Sequence, residues 1–116
     1  MRVTIYHNPR CSKSRETLTL LEARGLTPDV VRYLETPPDV TALKTLIAQL
    51  GFSSVRQLMR RKDDLYQSLQ LDNPALDEEE LYRVLAEHPA LMERPIVVHG
   101  KQARLGRPPE QVLEIL

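Results

Sequence analysis

The chain has one cysteine, Cys11, set in the run HNPRCSKSR (7–15) with Arg10, Lys13 and Arg15 around it. The HNPRC segment is turn-rich and stands between a strand-like and a helix-like stretch. Cys11 therefore falls where unpaired helix N–H groups converge and the helix dipole is positive. A thiolate is stabilised there, and its pKa drops below the free value of about 8.5. His7, four residues earlier, would add positive charge when protonated. A lone cysteine is most often a small buried hydrophobe; the strand–loop–helix setting marks Cys11 instead as a reactive thiolate. Cys11-Ser12-Lys13-Ser14 is a Cys-x-x-Ser motif, a redox pair with its second sulfur replaced by a hydroxyl. Ser14 can hydrogen-bond the thiolate but cannot resolve a mixed disulfide. No intrachain disulfide can form, so redox chemistry at Cys11 needs an outside thiol. The phosphatase loop Cys-x5-Arg is excluded because position 17 is Thr17. Cys11 and His7 make a weak metal site: there is no second cysteine, and His88 and His99 lie far along the chain. No metal is expected.

The elements that must hold this loop are legible from periodicity. RVTIY (2–6) alternates as a short strand. From Ser12 the pattern is helical, with Leu18, Leu20 and Leu21 inward and Gly25 as the stop. DVVRYL (29–34) reads as a second strand. Pro37–Pro38 breaks the chain, and a helix follows from Asp39 with Val40, Leu43, Leu46, Ile47 and Leu50, ending at Gly51. Short helices are predicted around Val55–Met59 and Leu65–Leu69. A longer one begins at Asp77, where Asp77 and Glu80 suggest a capping box and Leu81, Val84, Leu85 and His88 share a face. Residues 95–98 (PIVV) read as a strand, His99–Gly100 as a hairpin turn, and 102–105 as the returning strand. Pro108 opens a last helix with Val112, Leu113 and Leu116. The order is β-α-β, a helical block, then β-β-α. It predicts an α/β fold, a small mixed sheet with helices on its faces, and the thioredoxin-like fold has that order.

Composition bounds the function. The chain has 116 residues, 41% hydrophobic and 28% charged, the mixture of one soluble domain over 1–116 with a helical insertion at about 39–90. Sixteen basic residues balance sixteen acidic ones, so no global field favours nucleic acid or an anionic membrane. No apolar run approaches the roughly 18 to 20 residues of a membrane helix. MRVTIYHNPR lacks the apolar segment of a signal peptide, and a cytoplasmic protein, a monomer, is expected. Twelve of the sixteen basic residues are arginine, whose planar fork suits oxyanions.

HNPRCSKSR, followed by LETPP, SVRQLMR, HPALMERPIVV and ARLGRPPEQVLEIL, resembles the glutaredoxin-coupled arsenate reductases, the ArsC family, end to end, and most closely its short YfgD-like branch. The resemblance implies a thioredoxin-like fold with a helical insertion and a catalytic cysteine matched by Cys11. It implies three oxyanion-binding arginines, matched by Arg60 in SVRQLMR, Arg94 in MERPIVV and Arg107 in LGRPPE. His7 matches the family histidine before the loop, and Ser14 and Arg15 the serine and arginine after it. Arg94–Pro95 matches the cis-proline bond facing the active cysteine. Longer family members carry a tail beyond the last helix, which holds none of the matched residues. The implied reaction is arsenate reduction: Cys11 attacks arsenate, glutathione serves as co-substrate with no bound cofactor, glutaredoxin clears the mixed disulfide, and arsenite leaves. Arg15 would contact the anion or brace the loop, and His7 would support the thiolate or order the loop.

Two alternatives stand beside this. A general glutathione-linked thiol–disulfide exchange enzyme also needs one activated cysteine. An Spx-like regulator that binds RNA polymerase shares the fold, but Ser14 removes the Cys-x-x-Cys switch typical of that class, and the neutral charge leaves no DNA-binding footprint.

Overall fold

The computed structural model of the chain describes residues 2–116. The chain divides into two compact units. One runs through Thr36 and resumes with Arg94–Leu116; the other is Pro37–Glu93.

The first unit is built on a four-stranded sheet. Strand β1 is Val3–Tyr6, β2 is Asp29–Val31, β3 is Ile96–His99 and β4 is Gln102–Leu105, in the order β2-β1-β3-β4. β1 runs parallel to β2, with Ile5 opposite Val30, and antiparallel to β3, with Ile5 opposite Val97. β3 and β4 form an antiparallel hairpin. Helix α1, Ser12–Ala23, is the crossover between the parallel strands. This β-α-β plus β-β frame is the thioredoxin-like fold expected from the sequence.

Alternation places Val3 and Ile5 on one face of the sheet with Val97. Leu21 from α1, and Val112 and Ile115 from the C-terminal segment, close over them. Each such side chain, fully buried, contributes roughly 1.5–3 kcal/mol. Helix α1 stops where Gly25 adopts a φ of +76°, a left-handed conformation that side-chain-bearing residues rarely adopt. The Gly25 amide bonds the Glu22 carbonyl and the Leu26 amide bonds Leu21, which satisfies the last carbonyls of the helix.

Three details differ from the sequence reading. β2 ends at Val31 and does not reach Leu34. Its partner β1 ends at Tyr6, the His7 amide makes the last bond to the Val31 carbonyl, and the Glu35 and Thr36 amides then turn back onto the Arg32 carbonyl. The final segment, Pro109–Ile115, is a 3₁₀-helix and not an α-helix, and it follows a second cis peptide, Arg107–Pro108. His99 is not in the turn. It pairs with Gln102 in the ladder, and its Nδ1 bonds the Ile115 carbonyl, pinning the C-terminal segment to the sheet.

The second unit is helical. α2 is Val40–Leu50, α3 is Asp64–Ser68 and α4 is Glu78–Glu87. α2 buries Leu43, Leu46, Ile47 and Leu50, and packs on α4, which buries Leu81, Tyr82 and Leu85. Asp39 caps α2 through the Ala42 amide, and Asp77 caps α4 through the Glu80 amide. The reciprocal capping box forms at Ser54 and Gln57, at the head of the 3₁₀ turn Val55–Leu58. His88 is the half-buried C-cap of α4, not a packed residue on its apolar face. Among the described residues, no helix is long and apolar enough to cross a membrane.

Candidate active site

Cys11 is the N-cap of α1, with extended backbone angles, and the Asn8 carbonyl accepts from its amide. The loop between β1 and α1 thus closes on itself immediately before the helix, and this places the sulfur over the first turn. The thiol is half-buried. Burial pushes its pKa up. The Ser14 amide, the charge of Arg94, the Lys13 amide and a side-chain hydrogen bond from Arg94 act the other way, and together they outweigh burial. The thiol of Cys11 therefore ionises below the ordinary cysteine value, although its side chain closes no full capping hydrogen bond. The expected cause, helix amides plus nearby cation, holds. The cation is Arg94 rather than the neighbours in sequence: Lys13 is exposed and pairs with Glu16, and Arg10 is exposed.

Ser14 is fully buried, and its hydroxyl does not turn to the sulfur. Its Oγ lies 2.5 Å from His7 Nδ1 and accepts from the Asn8 amide at 3.0 Å. The serine of Cys-x-x-Ser thus clamps the loop from beneath, and only its backbone amide serves the thiol. The physical reason is helical geometry. At the third residue of α1 the amide points back over the N-terminus, while the side chain is directed inward to His7, the residue that follows β1.

His7 is buried, and its pKa is lowered by burial first, then by the charges of Arg32 and Arg15. Both effects favour its neutral form, so it offers the thiolate less positive charge than an unperturbed imidazole would. Its place is the loop-ordering hydrogen bond with Ser14. Arg15 donates Nη1 to the Pro9 carbonyl at 2.9 Å, so the loop-bracing role is the one its geometry displays.

Arg94 and Arg107 lie in the same unit as Cys11 and come together: Arg107 Nη1 donates to the Arg94 carbonyl at 3.2 Å. Each precedes a cis proline, Pro95 and Pro108. Arg94 Nε is buried and has no hydrogen-bond partner. A buried guanidinium N–H without a partner carries a large desolvation penalty, and an anion beside Cys11 would relieve it. Arg60 belongs to the other unit, where its amide bonds Leu91 and its side chain pairs with Asp63 at 3.3 Å.

Sequence reasoning passed over two residues that shape the site. Gly106 lies so close to α1 and to Pro95 that a Cβ there would sit 2.7 Å from Pro95 Cγ and would collide with Thr17 Oγ1. Thr17 is buried, and its hydroxyl bonds the Lys13 carbonyl at 2.8 Å, one turn back within α1. A glycine just ahead of Arg107 was the available signal. Among the described residues, no cluster of three His, Cys, Asp or Glu side chains gathers to hold a metal ion.

A model of the ArsC family matches residues 6–115. The Escherichia coli (strain K12) protein YfgD is 58% identical over 115 residues, covering 99% of this chain and 97% of its own. A Haemophilus influenzae protein named arsenate reductase is 55% identical over 116 residues, covering all of both chains. The solved structure of an arsenate reductase from Vibrio cholerae is 59% identical, with a TM-score of 0.98 over 100% of this chain and 98% of that one.

Proposed function

This chain belongs to the ArsC family, and from that premise we propose that it reduces arsenate at Cys11 with electrons from an external thiol. The observation that carries the reading is the thiol of lowered pKa beside Arg94, whose buried Nε has no partner. A tetrahedral oxyanion fits such a donor, because charge-assisted guanidinium contacts are the strong ones for it and can hold its central atom in line with the sulfur.

Arg94 and Arg107 bind the anion, and Arg60 is assigned to it by the family resemblance. Arg15 braces the loop and supplies further charge. Ser14 and His7 hold the loop in register. The Cys11 thiolate attacks arsenic, and an arsenate oxygen takes up protons and leaves as water, giving a sulfur–arsenic(V) bond. A thiol, glutathione in this reading, then attacks the Cys11 sulfur. The sulfur–arsenic bond breaks with its electron pair left on arsenic, so arsenic(V) becomes arsenic(III) and departs as arsenite, while Cys11 and the thiol form a mixed disulfide. A second thiol, delivered by glutaredoxin, reduces that disulfide and restores Cys11. The chain's one cysteine makes both outside thiols necessary.

The test is NADPH oxidation coupled through glutathione reductase, with arsenate, glutathione and glutaredoxin present. Wild-type protein is expected to turn over. Cys11→Ser, nearly isosteric, is expected to fold and to be inactive. Arsenate reduction by Cys11→Ser would overturn the mechanism. Turnover of a glutathionylated peptide without turnover of arsenate would shift the assignment to general thiol–disulfide exchange.

A further inference from the structure

Gly106 is buried, and a positive φ is found at Gly25, Gly51 and Gly100 but not here. The missing side chain at 106 therefore answers a need for space, not for a left-handed backbone. That space is closed from two directions. A Cβ placed there would sit 2.7 Å from Pro95 Cγ and would run into Thr17 Oγ1, whereas ordinary contact begins at 3.4 Å. Neither neighbour yields easily. Pro95 is buried, and its ring is closed onto the backbone. Thr17 is buried in α1, branched at Cβ and tied by its hydroxyl to the Lys13 carbonyl.

The two segments that meet at this point carry the groups of the site. β3 and β4 pair Ile96 with Leu105. Pro95 and Gly106 extend that pairing by one step, the Gly106 amide donating to the Pro95 carbonyl at 3.0 Å. Arg94 and Arg107 stand one step further, joined by the bond from Arg107 Nη1 to the Arg94 carbonyl at 3.2 Å. Both arginines are thus mounted on the open end of the hairpin, each next to a residue of the contact. On the other side α1 begins at Cys11, and Arg94 sends a hydrogen bond and its charge to that sulfur. All of these residues belong to the sheet-bearing unit. With alanine at 106 the hairpin end must retreat from α1 by about 1 Å to reach ordinary contact, a misplacement that costs up to ~100-fold where positioned groups react.

We propose that Gly106 is a positioning residue of the Cys11 site: by carrying no side chain it lets the open end of the β3–β4 hairpin rest directly on α1 at Thr17, and this contact fixes how far Arg94 and Arg107 stand from the sulfur. Gly106 touches no reacting atom and acts through Arg94. The part of the two arginines as anion ligands rests on the functional reading given above; the spacing between Arg94 and the sulfur does not.

The test reads the ionisation of Cys11 from the pH dependence of its alkylation by iodoacetamide, without arsenate. In Gly106→Ala the midpoint is expected to rise by about one pH unit, the size of effect that one close opposite charge exerts on a pKa. A merely structural glycine would lower the thermal midpoint and leave the ionisation where it is. Made in the Arg94→Gln protein, Gly106→Ala is expected to lower the thermal midpoint again but to move the ionisation by less than about 0.3 unit, because the group it acts through is gone. Thr17→Ala opens the space from the α1 side. Added to Gly106→Ala, it is expected to bring the ionisation back to within about 0.3 unit of Thr17→Ala alone. This double variant also serves where Gly106→Ala by itself does not fold. An unshifted ionisation in folded Gly106→Ala, an equal shift with and without Arg94, or a double variant that stays unfolded or keeps the raised midpoint would each overturn the proposal. With arsenate, kcat/KM of Gly106→Ala is expected to fall about tenfold, carried mainly by KM. Absence of arsenate turnover in the wild type, with the alkylation results as expected, would instead strike the functional reading and leave the positioning role of Gly106 at the thiol standing.

Discussion

Replacing Ser14 by alanine removes one oxygen from a site with no solvent access. That oxygen has two partners, His7 Nδ1 and the Asn8 amide. A buried polar group left without its partner costs about 1–3 kcal/mol. His7 is buried and would lose its partner outright; Asn8 is half-buried, and water can compensate part of its loss. The sum is a destabilisation of about 2–4 kcal/mol, a large share of the ~5–15 kcal/mol that holds a small domain together. Urea unfolding followed by circular dichroism measures it: the midpoint should fall while the slope, which tracks exposed surface, stays the same. The loop that bends into Cys11 would loosen in the same variant, so iodoacetamide alkylation of Cys11 should show its ionisation moving upward. A variant within about 0.5 kcal/mol of wild type, with an unchanged alkylation profile, would refute the assignment of Ser14 as the clamp beneath the loop.

Arg94→Gln keeps a polar side chain but removes the charge beside the sulfur; the alkylation midpoint of Cys11 should rise toward the ordinary thiol value, and the arsenate KM should rise at least tenfold. His7 has a folded-state pKa below its usual 6.5, so the unfolded chain takes up that proton first. Stability is unaffected by this group well above 6.5 and falls as the pH drops through that value; unfolding free energies measured from pH 8 to 5 should show the fall, and His7→Gln should flatten it. Gly106→Ala forces a Cβ into Pro95 and Thr17, an overpacking worth about 1–3 kcal/mol, read as a lowered thermal midpoint.

Much of the architecture was legible in the sequence because its signals are local. Gly25 and Gly51 end α1 and α2, and Asp39 and Asp77 cap α2 and α4, because those residues satisfy or release helix ends whatever lies elsewhere. The alternation of Val3 and Ile5 identified β1 and its inner face. Where prediction missed, the deciding partner was distant in sequence. β2 is short because β1 ends, and His99 belongs to the ladder because Gln102 and Ile115 hold it there.

The site divides along the same line. From residue order alone it follows that the nucleophile stands at a strand-to-helix junction, and that a chain with one sulfhydryl needs an outside thiol. Both are properties of contiguous residues. Only the tertiary structure decided which way each group faces and in what charge state. It turned the Ser14 hydroxyl to His7 and away from the sulfur, lowered the proton affinity of His7 by burial beside Arg32 and Arg15, and brought Arg94 from far along the chain to Cys11. Proton affinity depends on solvent exclusion and on charges a few ångströms away, and those distances are set by packing between segments, not by spacing along the chain.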